Sequence, residues 1–596
     1  MKKLYFLTLP FLAAALWSCT DKNDLGGDNN PDRDIAANYL SVSIVPAMET
    51  GTRVDGNTGD NGGKYKDGNA IENYVKNVRF YFFDAAGNAQ NVKRTEKGWN
   101  SYYDVYKPDS TKGTKPNVEK VINATIVLET PNGDLFPASL VAIVNYDKDL
   151  FGGKDIDASS IDKLLKQTGQ FAKSSYGEEE GILMSNSVYK ETNGTSQIVE
   201  RKLAPENFGK DKGEAEAHPV TIYVERAVAK VSLSTDEIQG FKPEGSGPAS
   251  GKRFPVLTAN DEQLTIRDKN KEEDTAIYVK ILGWNVTQTA DKSFAVKNLD
   301  SDWVGNSPFG GWTCPAYFRS FWALNPTDVQ FKYTDFDGSN DNPGIPAGNA
   351  ILGISDKETN TPNYTYAPEN APQEENDKRT EVIVAAQLVD SEGSAIKLAD
   401  FGGMKFMGEN YTKDLLQYVA NILGVWKKTP VDGGSSGFKY ETIQDDLKLV
   451  SAQEARETKE GFYYTYVQFT TDASSNEYVD NNDGTGKEVK FTELKEKLSN
   501  LPFIKVWTNG YTYYFVDIEH LNNADGPKYP VGKYGVVRNH WYAIDVTKIY
   551  GLGTPVFDPS EEIIPENPQD HETYLAAKIN ILSWRLVNQN TTLGQK

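Results

Sequence analysis

One cysteine and one loop arginine carry the covalent chemistry that this sequence offers. Cys19 ends the run Leu16-Trp17-Ser18-Cys19: a large apolar residue, a permissive position, a small residue, then a thiol. Ahead of it stand the basic head Met1-Lys2-Lys3 and an apolar stretch over residues 4–16 broken by Thr8 and Pro10, the n-region and h-region of a secretory signal. The order resembles a lipobox, so Cys19 is the expected lipidation site, with palmitate-like chains binding a membrane at roughly 0.8 kcal/mol per buried CH₂. An ordinary signal peptide with a chance cysteine is the alternative. The second reactive position is a backbone bond. Thr52-Arg53-Val54 places a lone arginine inside residues 47–68, a stretch with six glycines and almost no apolar period. Accessible segments of this composition are where proteases cut.

No constellation for turnover rises above chance. The sequence holds no P-loop, no His-Glu-x-x-His and no Cys-x-x-Cys. Gly433-Gly434-Ser435-Ser436-Gly437 fits Gly-x-Ser-x-Gly, but a nucleophile elbow needs a strand before it and a helix after it. Pro430-Val431-Asp432 and Phe438-Lys439-Tyr440 supply neither, so a Gly/Ser loop is expected. Glu178-Glu179-Glu180 and Glu272-Glu273-Asp274 read as solvated charge. Asp480-Asn481-Asn482-Asp483-Gly484 offers oxygens to Ca²⁺ without the full EF-hand pattern. Cys314 has no histidine near it in sequence and reads as a small buried apolar residue. The expectation is no catalytic residue, no metal and no cofactor.

The elements around these positions are strands. Tyr and Phe number 32 and 26, and 50 Gly with 28 Pro supply many turns, a mixture that favours an all-β chain. With 63 basic against 84 acidic side chains the net charge is −21, which argues against nucleic acid or an anionic membrane surface as partner. Leu40, Val42 and Ile44 alternate with serines and share one face of a first strand that Pro46 ends. Further strands are expected at 78–83, 121–128, 139–146, 182–187, 221–233, 277–286, 382–388, 462–469, 511–518 and 540–549. Helices are expected only near 161–167 and 412–423, the latter from the spacing of Leu415, Leu416, Val419 and Leu423. Residues 20–32 are a polar, Gly-rich tether, residues 240–252 part of a boundary, and residues 551–568 a Pro/acid-rich linker. In the tail, Leu575, Ala577, Ile579 and Ile581 share one parity while Leu582, Trp584 and Leu586 share the other. That change implies a bulge or two short strands.

Several segments together carry a family resemblance. They are Val141-Ala142-Ile143-Val144-Asn145, Met184-Ser185-Asn186-Ser187 and Val224-Glu225-Arg226-Ala227-Val228-Ala229-Lys230-Val231, then Arg319-Ser320-Phe321-Trp322-Ala323, Val536-Val537-Arg538-Asn539-His540-Trp541-Tyr542 and Ala577-Lys578-Ile579-Asn580-Ile581-Leu582-Ser583-Trp584. In order and span the chain resembles the type V pilins, the fimbrillins of Bacteroides- and Porphyromonas-like bacteria, and within them the major shaft subunits of the short (minor) fimbriae.

The resemblance implies two tandem transthyretin-like β-sandwiches with a C-terminal donor-strand extension. It divides the chain into a signal peptide (1–18), a lipidated propeptide with a removable strand (19–53), sandwiches at 54–236 and 237–560, and a linker with donor strand (561–596). It implies an outer-membrane lipid-anchored precursor cut by an Arg-specific protease, with Arg53 as the expected cleavage residue and Arg33 as the runner-up. The strand bearing Leu40, Val42 and Ile44 would leave, and the C-terminal segment of another copy would take its place through Ile579, Ile581, Leu582, Trp584 and Leu586. The implied product is an adhesive surface filament with no enzymatic activity. Its partners would be further copies, accessory tip and anchor subunits, the processing protease and a surface receptor. The alternatives are a tip or anchor subunit, and a monomeric glycan-binding surface lipoprotein.

Overall fold

The computed structural model describes residues 38–46, 65–66, 68–95, 98–112, 120–128, 136–173, 176–187, 189–190, 197–235, 238, 240, 252–267, 273–298, 323–332, 364–372, 378–431, 437–451, 465–481, 486–520, 533–557, 575–581 and 584–593. Cys19, Arg33, Arg53, Cys314, Ser435 and Leu582 lie outside them, as do most of the expected boundary at 240–252 and most of the linker before the tail.

Alternation of apolar residues builds the first sheet. Its main strands are β1 (Asn38–Pro46), β3 (Asn77–Phe83), β4 (Tyr102–Tyr106), β5 (Asp109–Lys112), β6 (Lys120–Leu128), β7 (Ser139–Val144), β8 (Met184–Asn186) and β9 (Val220–Arg226), while β2 (Tyr65–Lys66) belongs elsewhere. They lie in the order β4-β3-β7-β8-β9-β1-β6-β5. Both faces are buried. Val78, Phe80 and Phe82 of β3 join one core, and Tyr81 and Phe83 join another on the opposite face. Two short helices flank the sheet: α1 (Ile161–Leu164), capped by Ser160, falls inside the expected 161–167, and α2 (Lys212–Ala217) has no period that announces it.

Residues 221–233, expected as one strand, are two strands in two sheets. β9 ends at Arg226, and β10 (Val228–Ser234) opens the second sheet, so the chain changes sheets at Ala227. The apolar pattern is continuous because both strands are buried, and it carries no mark of the crossing. The second sheet adds β11 (Arg253–Leu257), β12 (Tyr278–Thr287), β13 (Tyr364–Pro368), β14 (Glu381–Val389), β15 (Tyr511–Asp517), β16 (His540–Tyr550), β17 (Leu575–Ile581) and β18 (Trp584–Leu593). Its path runs β2-β18-β16-β11-β12-β14-β15, with β10 between β13 and β16. The two sheets repeat one device. β1 runs parallel to β9 and antiparallel to β6, and β10 runs parallel to β16 and antiparallel to β13. In the first sheet that parallel partner is the last main strand, and in the second it is the long strand that precedes the tail.

Between β14 and β15 the all-β frame carries a lobe with its own core, a five-stranded and a four-stranded sheet closed by α3 (Tyr411–Leu423) and α4 (Phe491–Ser499). Leu415, Val419, Leu494 and Val506 meet in that core. α3 forms where its spacing predicts and stops at Gly424, whose φ of 68° is left-handed and whose N–H donates to Ala420 O at 3.2 Å. Gly424→Ala is expected to cost about 1–2 kcal/mol, because a Cβ crowds the carbonyl in that conformation. A lower midpoint for the lobe in urea, at unchanged slope, is the measurement that checks it.

Candidate assembly site

The site begins with β1, whose residues Leu40 and Val42 are fully buried. β1 is an interior strand. On one edge Val42–Pro46 pair in parallel with residues 220–224 of β9, and on the other Asn38–Ile44 pair antiparallel with residues 122–128 of β6. Leu40 and Val42 pack with Phe80, Phe82, Ile122, Ile126 and Ile222. The opposite face is covered too: Ser41 is buried, and α2 lies against the strand. Tyr39 pairs with Gly209, where a Cβ would meet Ala215 N at 2.4 Å, so glycine permits α2 to approach this closely.

Among the described residues, β6 pairs only with β1 and β5. Taking β1 away would therefore leave two unpaired backbone edges, β9 and β6, facing an apolar trench. In sequence, Arg53 stands between β1 and β2, so one cut there separates this strand from everything downstream.

The tail is a hairpin. β17 and β18 pair antiparallel from Leu575↔Leu593 to Ile581↔Val587, which accounts for the change of parity as two strands. β18 runs parallel to β16 from His540↔Arg585 to Ile549↔Leu593, so here the hairpin extends its own second sheet. Ile579 and Ile581 are in β17, and Trp584 and Leu586 in β18. The structure does not bring them to the strand of Leu40, Val42 and Ile44. It does bring β2, just downstream of the Arg53 segment, onto β18 through Tyr65↔Arg585 and Lys66↔Trp584, a pairing that no periodicity foretells.

In four of the segments that carry the resemblance, polar side chains or backbone groups fasten one part of the chain to another. Asn145, at φ 58°, accepts from Lys76 N at 2.7 Å and donates to Tyr74 O and Ile182 O, each at 2.8 Å. Asn186 accepts from Ala142 N at 2.9 Å and donates to Val199 O at 2.9 Å. Residues 224–231 and 536–542 meet at the junction of the sheets, where Asn539 N donates to Val228 O at 2.8 Å and Arg226 donates to Asn539 Oδ1 at 3.1 Å. Beside them Arg538 donates to Glu369 Oε2 at 2.9 Å, and Lys297 pairs with Glu225 at 2.9 Å, all four side chains being buried. Burial pushes the Lys297 ammonium below the usual lysine range against the pull of Glu225 and Glu369. His520 and His540 also meet, with ring centroids 5.1 Å apart, but inside the core. No group of three or more His, Cys, Asp or Glu among the described residues could hold a metal ion, and no helix there is long and apolar enough to cross a membrane.

Residues 505–590 match the family model described as "Major fimbrial subunit protein type IV, Fimbrillin, C-terminal". That span takes in β15, β16, β17 and most of β18. The C-terminal part of this chain resembles the fimbrillins. No curated protein matches. Among solved structures, a fimbrilin from Porphyromonas gingivalis W83 is 10% identical over 93% of this chain and 96% of its own, with a TM-score of 0.34. The tip fimbrial protein of Porphyromonas gingivalis with C-terminal truncation is 8% identical over 94% and 100%, with a TM-score of 0.29. A fimbrial assembly protein from Parabacteroides distasonis is 12% identical over 60% and 89%, with a TM-score of 0.25. Likeness at this level assigns no role by itself.

Proposed function

We propose that this chain is a fimbrial adhesion subunit of the cell surface, and specifically a shaft pilin that polymerises by strand exchange. In this reading it is exported, lipidated at Cys19 and anchored in the outer membrane until a protease cuts after Arg53. β1 then leaves, and the tail of another copy, with Ile579, Ile581, Leu582, Trp584 and Leu586 as anchors, enters the trench between β9 and β6. The two sheets correspond to tandem transthyretin-like sandwiches, and the chain performs no catalysis. Tip and anchor subunits would complete the filament.

The observation that carries the reading is the place of β1: an interior strand with two fully buried apolar side chains, separated in sequence from the rest of the fold by the Arg53 segment. An emptied trench exposes polar edges and apolar walls together, and an incoming strand satisfies both. A head-to-tail contact of this kind does not close on itself, so it gives an open filament. The test is limited treatment of the full chain with an Arg-specific protease, followed by mass spectrometry and native electrophoresis. Cleavage at Arg53 with a ladder of multimers is expected. A cut chain that stays monomeric removes the shaft role and favours a tip or anchor subunit.

A glycan-binding surface lipoprotein is a second reading, favoured by Phe438 and Tyr440. They are 55% and 53% exposed and share one face of an edge strand in the lobe. Retained glycan binding by a chain that never polymerises would select it.

A further inference from the structure

A buried acid sits where the chain enters the fold downstream of Arg53. Glu72 is fully buried in the segment 68–74, which lies between β2 and β3. Its Oε1 accepts from Lys230 Nζ of β10 at 2.7 Å and from the Tyr366 hydroxyl of β13 at 2.7 Å, and its Oε2 accepts from Asn69 N at 2.8 Å. Arg226, the last residue of β9, donates to Glu72 O at 3.1 Å and to Asn73 Oδ1 at 2.7 Å. Lys230 also lies 3.9 Å from the ring centroid of Tyr364 and 4.2 Å from that of Trp541. Gly68 closes the knot, since a Cβ there would stand 2.9 Å from Arg226 Nη2 and 3.0 Å from Glu72 Oε2. Burial alone would raise the Glu72 carboxyl, but Lys230 and Arg226 outweigh it and hold the group below its usual range as a carboxylate.

One end of this knot is thus the wall of the β1 trench, and the other is the segment that a cut at Arg53 leaves behind. While β1 is present, β9 is held by β1 and β8. β1 pairs with residues 220–224, so once it is gone the C-terminal end of β9 is still held by β8 at residues 224–226, by the Lys297–Glu225 pair, and by Arg226 through the knot. A groove held in its binding geometry spares an incoming strand the cost of ordering it.

We infer that Glu72 is a positioning residue for strand exchange, bolting the newly cut N-terminal segment and the end of β9 to the junction between the sheets so that the trench keeps its shape when β1 leaves. This rests on the strand-exchange reading above, deepens it, and is assigned by none of the resemblances.

The experiment is hydrogen exchange on the full chain before and after cleavage by an Arg-specific protease, comparing wild type with Glu72→Gln and Tyr366→Phe. In wild type, amides of residues 69–74 and 220–226 are expected to keep their protection after the cut. In Glu72→Gln, residues 69–74 lose protection about tenfold in both forms, while residues 220–226 lose it to that extent only after the cut. Tyr366→Phe, which removes one hydrogen bond and keeps the ring, gives a smaller loss in the same pattern and stands in should Glu72→Gln fail to fold. Wild-type protection of residues 220–226 in both cut variants overturns the inference. If the cut wild type retains β1 by mass, the strand-exchange reading fails separately. The uncut variants then decide the knot on residues 69–74, where unchanged exchange sinks it.

Discussion

Full chain cut at Arg53 is expected to give a ladder of multimers on native electrophoresis, and the same chain lacking residues 568–596 only a folded monomer. The two halves of that expectation have different physical grounds. The truncated chain stays folded because the core side chains of β16, among them Tyr542, Ile544, Val546 and Ile549, pack into the second sheet's core, where β10 and β11 pair with that strand. Deletion exposes the other edge of β16, now covered by β18. It does not remove the strand. Multimers vanish because the joint loses its donor. If four or five large side chains fill the trench at about 1.5–3 kcal/mol each, the gross gain is on the order of 10 kcal/mol before ordering costs. An exposed β16 edge invites disordered association, so the readout is discrete bands, with size by native mass spectrometry. A ladder from the truncated chain would show that the tail is not the donor.

Strands were legible in this sequence wherever one face alternates with another. Leu40, Val42, Val78, Phe80 and Phe82 all lie on one core face, as their parity predicts. Helix α3 was legible for the same reason at a different period. α4 was not, because Leu494 and Leu498 are its only fully apolar inward positions after Phe491 and nine residues hold too few turns to establish a period. The crossing at Ala227 escaped because two buried strands in series read as one long one. The junction escaped for a more general reason. Glu72, Glu225, Arg226, Lys230, Glu369 and Arg538 are charged residues scattered over the chain, and each by itself reads as solvated. Only the fold brings them together, and their burial is possible because each charge meets an opposite one or several hydrogen bonds. The same holds for the proposed assembly site. Its strand and its tail could be named from pattern, but that β1 is an interior strand, and that the tail hairpin lies on β16 with β2 beside it, depends on pairings between strands that are not neighbours in sequence.

Leu40→Ala separates strand exchange from a permanent first strand. Leu40 is fully buried among the first-sheet core side chains, and truncating such a leucine leaves a cavity that costs about 2–5 kcal/mol. If β1 stays for the life of the protein, that loss appears in every form of it. If β1 is discarded, the loss belongs to the precursor alone. Uncut Leu40→Ala should unfold its first sheet at clearly lower urea than wild type, with unchanged slope. Once cut and polymerised, the two should be indistinguishable, because the residue that was changed is no longer there. Urea titrations of both proteins, before cleavage and as isolated multimers, measure the difference directly. A deficit of the same size in the multimers would mean that β1 remains in the trench and that another contact joins the subunits.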